Sequence, residues 1–212
     1  MSALTRQEIS AAVTPLGWRY VLGEVCARVP VRSLGHAAEV AAALSVGAGE
    51  SLRLELRHDV VAVSLSPVTP AELALAGRLA ARVEELGLRL GPAQVQVLEI
   101  AIDAVDIPRI RPFWKAVLGY VAEPGDEGPA GALMDPLRRS PAVWFQQMSQ
   151  PRTQRNRIHL DVSVAHDAAQ ARIDAALAAG GTLRSAEAAP AFWVLADPEG
   201  NEACVTTWQG RD

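Results

Sequence analysis

The chain has 212 residues, half of them hydrophobic, and a formal net charge of −4. That is enough apolar material for one large domain or for two of about 100 residues, and the acidic balance provides no basic field for nucleic acid. No apolar run approaches the ~20 residues that cross a bilayer, and the opening "MSALTRQEIS" lacks the charged-then-apolar pattern of a secretory signal, so the expectation is a cytoplasmic protein with neither membrane nor nucleic-acid partners.

In chain order, "TRQE" at 5–8 is a capping box that opens a helix through about Val13. "GWRYVLGEVCARVPV", 17–31, carries β-favouring residues around a Gly23-Glu24 turn and predicts a hairpin. Ser33 caps a helix over 34–44, which stops before the glycines of "VGAGE". "SLRLELR" (51–57) and "VVAVSLS" (60–66) alternate as two strands joined across "HD". A long helix over 69–86 follows, with Thr69 as N-cap, Pro70 at N1 and Glu72 at N3; Leu73, Ala76, Leu79, Ala80, Val83 and Leu86 form its apolar stripe. The order predicts an antiparallel sheet with helices on one face. His36 and His58, in a helix start and a hairpin turn, read as ordinary packing or surface residues.

This arrangement, with the early Gly17-Trp18, resembles the pterin-4a-carbinolamine dehydratase family over about residues 3–88. The family's His-His-Pro and Thr-His signatures have no counterpart, since the matching segments read "SVGAGE" and "LSPVTP". Carbinolamine dehydration needs an acid and a base that titrate near neutrality, the natural task of histidine. Residues 1–90 are therefore expected to be an inactive relative of that domain, either a relic or retained for assembly through its sheet edges.

"GLRLGPAQ", 87–94, has the glycines and proline of a linker and places the boundary near Gly91. Beyond it the chain repeats itself. "VQVLEIAID" then "IPRIRPFWKAVLGY" is strand then helix ending at Gly119; "RIHLDVSV" then "DAAQARIDAALAAGG" is strand then helix ending at Gly180-Gly181. Each copy continues into strand-like segments with an Asp-Pro turn (Asp135-Pro136, Asp197-Pro198), so residues 95–212 read as two βαβββ units and the whole as an α+β chain. In "RNRIHLDVSV", Ile158, Leu160, Val162 and Val164 take one face, and His159, Asp161 and Ser163 the other.

"FWKAVLGY", "HLDVSV" and "DPEGNEACV" resemble the vicinal oxygen chelate superfamily of glyoxalases, bleomycin-resistance proteins and extradiol dioxygenases, across almost the whole second half. The resemblance implies paired modules curling around a cleft that often holds a divalent metal on the first and last strand of each module. Carried over, it gives the metal set Glu99, Gln146, His159 and either Glu202 or Cys204, which stands where the family's usual glutamate belongs; Gln146 is preferred to Gln147 because it shares a face with Trp144. Glu99, His159 and Glu202 are then the candidate catalytic residues, and Trp144, Arg157, Asp161, Trp193 and Cys204 the candidate ligand-binding ones. Two other readings stand beside the metal site. One is a metal-free cleft in which His159 and Glu99 bind each other or a polar ligand; the other is a structural His159 paired with Asp161. "QPRTQRNR" reads first as a solvated loop; the alternative is that one of Arg152, Arg155 and Arg157 reaches the cleft mouth and pairs a ligand carboxylate or phosphate. The expected function is a small-molecule enzyme or binder, of lyase or dioxygenase type if catalytic. The alternative is a non-catalytic resistance-type protein with an N-terminal assembly domain, and residual pterin chemistry comes last. A homodimer is the expected assembly.

Overall fold

The computed structural model describes residues 4–91, 96–152 and 154–210, and the chain falls into two compact units, Met1–Val97 and Leu98–Asp212.

The first unit contains α1 (Arg6–Val13), β1 (Arg19–Val21), β2 (Glu24–Pro30), α2 (Leu34–Ser45), β3 (Leu52–Leu56), β4 (Val60–Leu65) and α3 (Pro70–Glu85). Its strands form an antiparallel sheet in the order β1-β2-β4-β3. Period-2 alternation decides what the sheet buries. Val25, Ala27 and Val29 pair with Leu65, Val63 and Val61, and this row forms one core with Ala37, Val40 and Leu44 of α2 and Leu75, Ala76, Leu79 and Val83 of α3. All three helices therefore cover the same face. The Gly17-Trp18 pair has a packing explanation. Trp18 is fully buried and donates its indole N–H to the Ala76 carbonyl, while Gly17 has a φ of 90° and a Cβ there would meet the Leu90 side chain at 2.9 Å.

Two details differ from the sequence expectation. The hairpin turn is Leu22-Gly23 rather than Gly23-Glu24, because both residues take positive φ (46° and 82°), as a tight two-residue turn between twisted strands requires. Leu86 is exposed, since α3 ends at Glu85 and Leu75 takes its place in the buried stripe.

The second unit is two βαβββ modules. The first has β5 (Glu99–Ala104), α4 (Ile107–Leu118), β6 (Val121–Ala122), β7 (Leu133–Met134) and β8 (Ala142–Gln147), in the sheet order β5-β8-β7-β6. The second has β9 (Leu160–Ser163), α5 (Ala169–Ala178), β10 (Thr182–Ser185), β11 (Phe192–Ala196) and β12 (Glu202–Thr206), in the order β10-β11-β12-β9. In both, the first and last strands run parallel side by side: β5 with β8, β9 with β12. Strand β5 starts at Glu99, and Val95, where the sequence pattern opens it, lies outside the described residues. Strand β9 starts at Leu160, so Ile158 precedes the strand and is exposed instead of joining the apolar face.

One core serves both modules: Ile102, Ile110, Phe113, Trp114 and Val143 of the first pack with Ile173, Ala176, Leu195, Ala203 and Val205 of the second. Gly181 makes the close fit possible, because a Cβ there would collide with the Phe113 ring.

Thr69 and Glu72 close a reciprocal capping box at α3, with the hydroxyl and backbone N–H of Thr69 both donating to the Glu72 carboxylate. Those bonds, the hydroxyl first, hold the Glu72 carboxyl below the usual range. Thr69→Ala is expected to cost about 1 kcal/mol in denaturant unfolding at neutral pH. A depressed carboxyl pKa contributes stability above its unfolded value and loses it as pH falls through the folded one. The deficit of Glu72→Ala relative to wild type should therefore shrink in acid, and a deficit that stays constant would remove the linkage.

Candidate functional site

Alternation in the second unit sends one face of each strand to the shared core and the other outward. On the first module the outward face carries Glu99, Ala101 and Asp103 of β5, in register with Ala142, Trp144 and Gln146 of β8. On the second it carries Asp161 and Ser163 of β9, in register with Cys204 and Thr206 of β12 and, beyond them, Val194 and Phe192 of β11. Trp193, taken from the sequence as a cleft wall, has the opposite parity and packs against the core, paired in register with Val205.

His159, immediately before β9, joins this outward face. Its Nε2 lies 3.3 Å from Asp161 Oδ1, and the ligand atoms of His159, Asp161 and Cys204 lie within 4.8 Å of one another. They border a cavity of about 340 Å³ that Phe192 and Thr206 complete. Cys204 is buried, whereas His159 and Asp161 are exposed. Burial, then the hydrogen bond and negative charge of Asp161 with the charge of Glu202, push the Cys204 thiol up to about 11, with Arg155 pulling the other way. At neutral pH the thiol therefore keeps its proton in the absence of a cation.

This donor set fits a divalent cation. It supplies one nitrogen, one oxygen and one sulfur, the three donor types zinc accepts, and three protein ligands leave a position for a ligand or water. With bonds of ~2.0–2.3 Å, two ligands of one ion stand roughly 3–4 Å apart, so modest side-chain rotation closes the cluster on an ion.

Glu202, also in the sequence-derived metal set, lies near enough to Cys204 for its charge to act on the thiol. Glu202 receives the Arg155 guanidinium, Nε at 3.0 Å and Nη2 at 2.6 Å. Gln146 faces outward beside Asp103; Glu99 lies at the start of β5 and is not part of the three-residue cluster. Gln147 has a backbone task, donating to the carbonyls of Val105 and Met148. Arg157 lines a second cavity of about 480 Å³, bordered by Ala101 and Asp103 on one side and by Arg152, Arg155, His159 and Glu202 on the other. His159 borders both cavities.

A sequence model of the glyoxalase-like domain matches residues 99–206, just over half of the chain. The chain belongs to the glyoxalase-like domain family. No curated protein matches it. Among solved structures, a glyoxalase/bleomycin resistance protein/dioxygenase family enzyme from Burkholderia phytofirmans PsJN is 20% identical with a TM-score of 0.39, over 51% of this chain and 95% of that one. A glyoxalase-related enzyme from Fulvimarina pelagi is 21% identical with a TM-score of 0.38, over 54% and 88%. A fosfomycin resistance protein from Mesorhizobium loti is 11% identical with a TM-score of 0.40, over 54% and 92%.

Within the glyoxalase-like domain, the "DPEGN" turn does more than its sequence suggested. Asp197, 2% exposed, accepts from Trp114 Nε1 (2.9 Å), from the backbone N–H groups of Glu199 and Asn201, and from Asn201 Nδ2. Glu199 reaches across to accept from the backbone N–H groups of Val105 and Asp106 at the start of α4, where a carboxylate also complements the helix dipole. Gly200 supplies the φ of 90° that the turn needs. The only sequence signals for this clamp were the turn itself and a tryptophan at the centre of an amphipathic helix.

Asp197→Ala strands the buried Trp114 indole N–H and three part-buried donors, each costing about 1–3 kcal/mol where water cannot replace the lost acceptor. The expected loss is about 3 kcal/mol or more in equilibrium unfolding. A loss below about 1 kcal/mol would show that the clamp is not what joins the modules.

Proposed function

We propose that the glyoxalase-like unit binds a small molecule on the outward face of its paired modules, with a divalent cation held by His159, Asp161 and Cys204. The observation that carries the reading is the convergence of these three ligand atoms in one cavity beside the Phe192 ring. When bound, such a cation polarises a ligand oxygen and lowers the cost of moving a proton from the ligand. The chain's own groups do the rest. Phe192 on β11 and Trp144 on β8 offer aromatic surface to a planar or apolar portion of the ligand. Glu202, turned toward Arg155, and Glu99, at the head of β5, are the carboxylates that would move a proton in a catalytic version of the site. The fold alone does not choose a reaction among those the family's architecture can host.

The second reading is sequestration without turnover, favoured by the aromatic surface that Trp144 and Phe192 leave partly exposed. Residues 1–90 are proposed as a pterin-4a-carbinolamine dehydratase-like domain that has lost its histidine chemistry and serves assembly of a homodimer. The sheet order β1-β2-β4-β3 under three helices supports this.

Elemental analysis after loading with zinc, manganese or iron(II) and desalting is expected to find about one equivalent of metal in the wild type. His159→Ala and Asp161→Asn should each lower retention tenfold or more, and Glu99→Ala and Gln146→Ala should leave it unchanged. A wild type that retains no metal overturns the metal site and leaves sequestration as the reading.

A further inference from the structure

The cavity of about 480 Å³ between the free edges of β5 and β9 has an unusual charge balance for a chain of net charge −4. Every charged residue between Asp135 and Asp161 is an arginine: 138, 139, 152, 155 and 157. Three of these, Arg152, Arg155 and Arg157, line the cavity, against only two carboxylates, Asp103 and Glu202. Glu202 is committed to Arg155. Arg152 and Arg157 have no hydrogen-bonding or ionic side-chain partner among the described residues, so two unpaired cations face one carboxylate.

Residues 155 and 156 are held in place. Asn156, between Arg155 and Arg157, donates its amide to Asn201 Oδ1 at 2.6 Å, and Asn201 is itself tied to the buried Asp197. Arg155 is anchored to β12 through Glu202. Ile100, Ile102 and Leu160 give the cavity apolar wall. An anion beside such a wall is screened less than on open surface, and guanidinium groups match the planar, bidentate geometry of carboxylate and phosphoryl oxygens.

We propose that this cavity receives the anionic group, carboxylate or phosphoryl, of the small molecule that the glyoxalase-like unit binds, with Arg152 and Arg157 as the cations that hold it. The inference rests on the reading of that unit as a small-molecule site and names the ligand class: an acid that carries a second oxygen donor. His159 borders this cavity and the His159–Asp161–Cys204 cavity alike, so one small molecule reaches from the arginines to the triad. Arg155 positions Glu202 and is spent on it.

The test is an NMR titration of the full-length protein, stripped of metal with a chelator, following the backbone amides of residues 154–160. The probes are inorganic phosphate, methylphosphonate and acetate, at low and high chloride. Saturable shifts are expected with at least one oxyanion, weakened by chloride. Affinity should fall at least tenfold in Arg152→Gln/Arg157→Gln and less than threefold in Arg157→Lys, which keeps the charge. The dispersion of the same spectra reports whether each variant is folded. Preference between phosphoryl and carboxylate probes separates the two ligand classes. Absence of saturable shifts with all three probes, or equal affinity in the folded double variant, overturns the proposal. Cys204→Ser keeps the arginines and removes a metal ligand. If the wild type retains no metal while oxyanion binding survives in wild type and Cys204→Ser alike, the metal reading fails alone; if the wild type retains metal and no oxyanion binds, this inference fails alone.

Discussion

The second unit depends on one buried carboxylate. Asp197 is almost fully removed from water, and such a charge is tolerated only where hydrogen bonds replace its hydration. Four donors do so, and they come from different parts of the fold: an indole from α4 of the first module, and three groups from the turn that precedes β12 of the second. Satisfying the charge therefore fixes the helix of one module against the last strand of the other. Glu199 adds a second tie to the start of α4, and Asn201 passes the constraint to Asn156. The strand that carries Cys204 and the loop that carries the arginines are both placed by the same carboxylate.

That placement sets two kinds of electrostatics side by side. Around Cys204, burial first and then the neighbouring Asp161 and Glu202 keep the thiol protonated. On the far side of His159 the neighbours are Arg152, Arg155 and Arg157. The Arg155–Glu202 pair lies between them, with Arg155 mostly exposed and Glu202 mostly covered. A pair with one partner mostly in solvent contributes little to stability. Its consequence is geometric: it ties Arg155, in the segment before β9, to Glu202 at the start of β12.

Most of the fold was legible because its signals are local. Capping boxes at Thr5 and Thr69, the αL glycine at Gly119 and the alternation in β3 and β4 each fix an element within a few residues. The repeat of strand, helix and Asp-Pro turn gave the two modules. What stayed hidden depends on partners distant in sequence. The parity of Trp193 follows from its register with Val205, and Glu202 takes its partner from Arg155, 47 residues earlier. Asp161 was on the correct face from alternation alone, yet its approach to Cys204 follows from the parallel pairing of β9 with β12, which no local pattern encodes.

The departure at Cys204 bears on which ion the proposed site would prefer. Carboxylates alone form hard, oxygen-only sites that suit magnesium, calcium or manganese. Replacing one by a thiol and adding an imidazole moves the set toward borderline ions such as zinc or iron(II), which bind sulfur and nitrogen well. Sulfur binds as the thiolate, so a cation has to displace the proton that Asp161 and burial hold on Cys204. The same negative neighbourhood that raises the thiol attracts the cation that would discharge it. On the proposed reading, metal uptake and proton release are therefore one coupled event, and Asp161 acts on both sides of it.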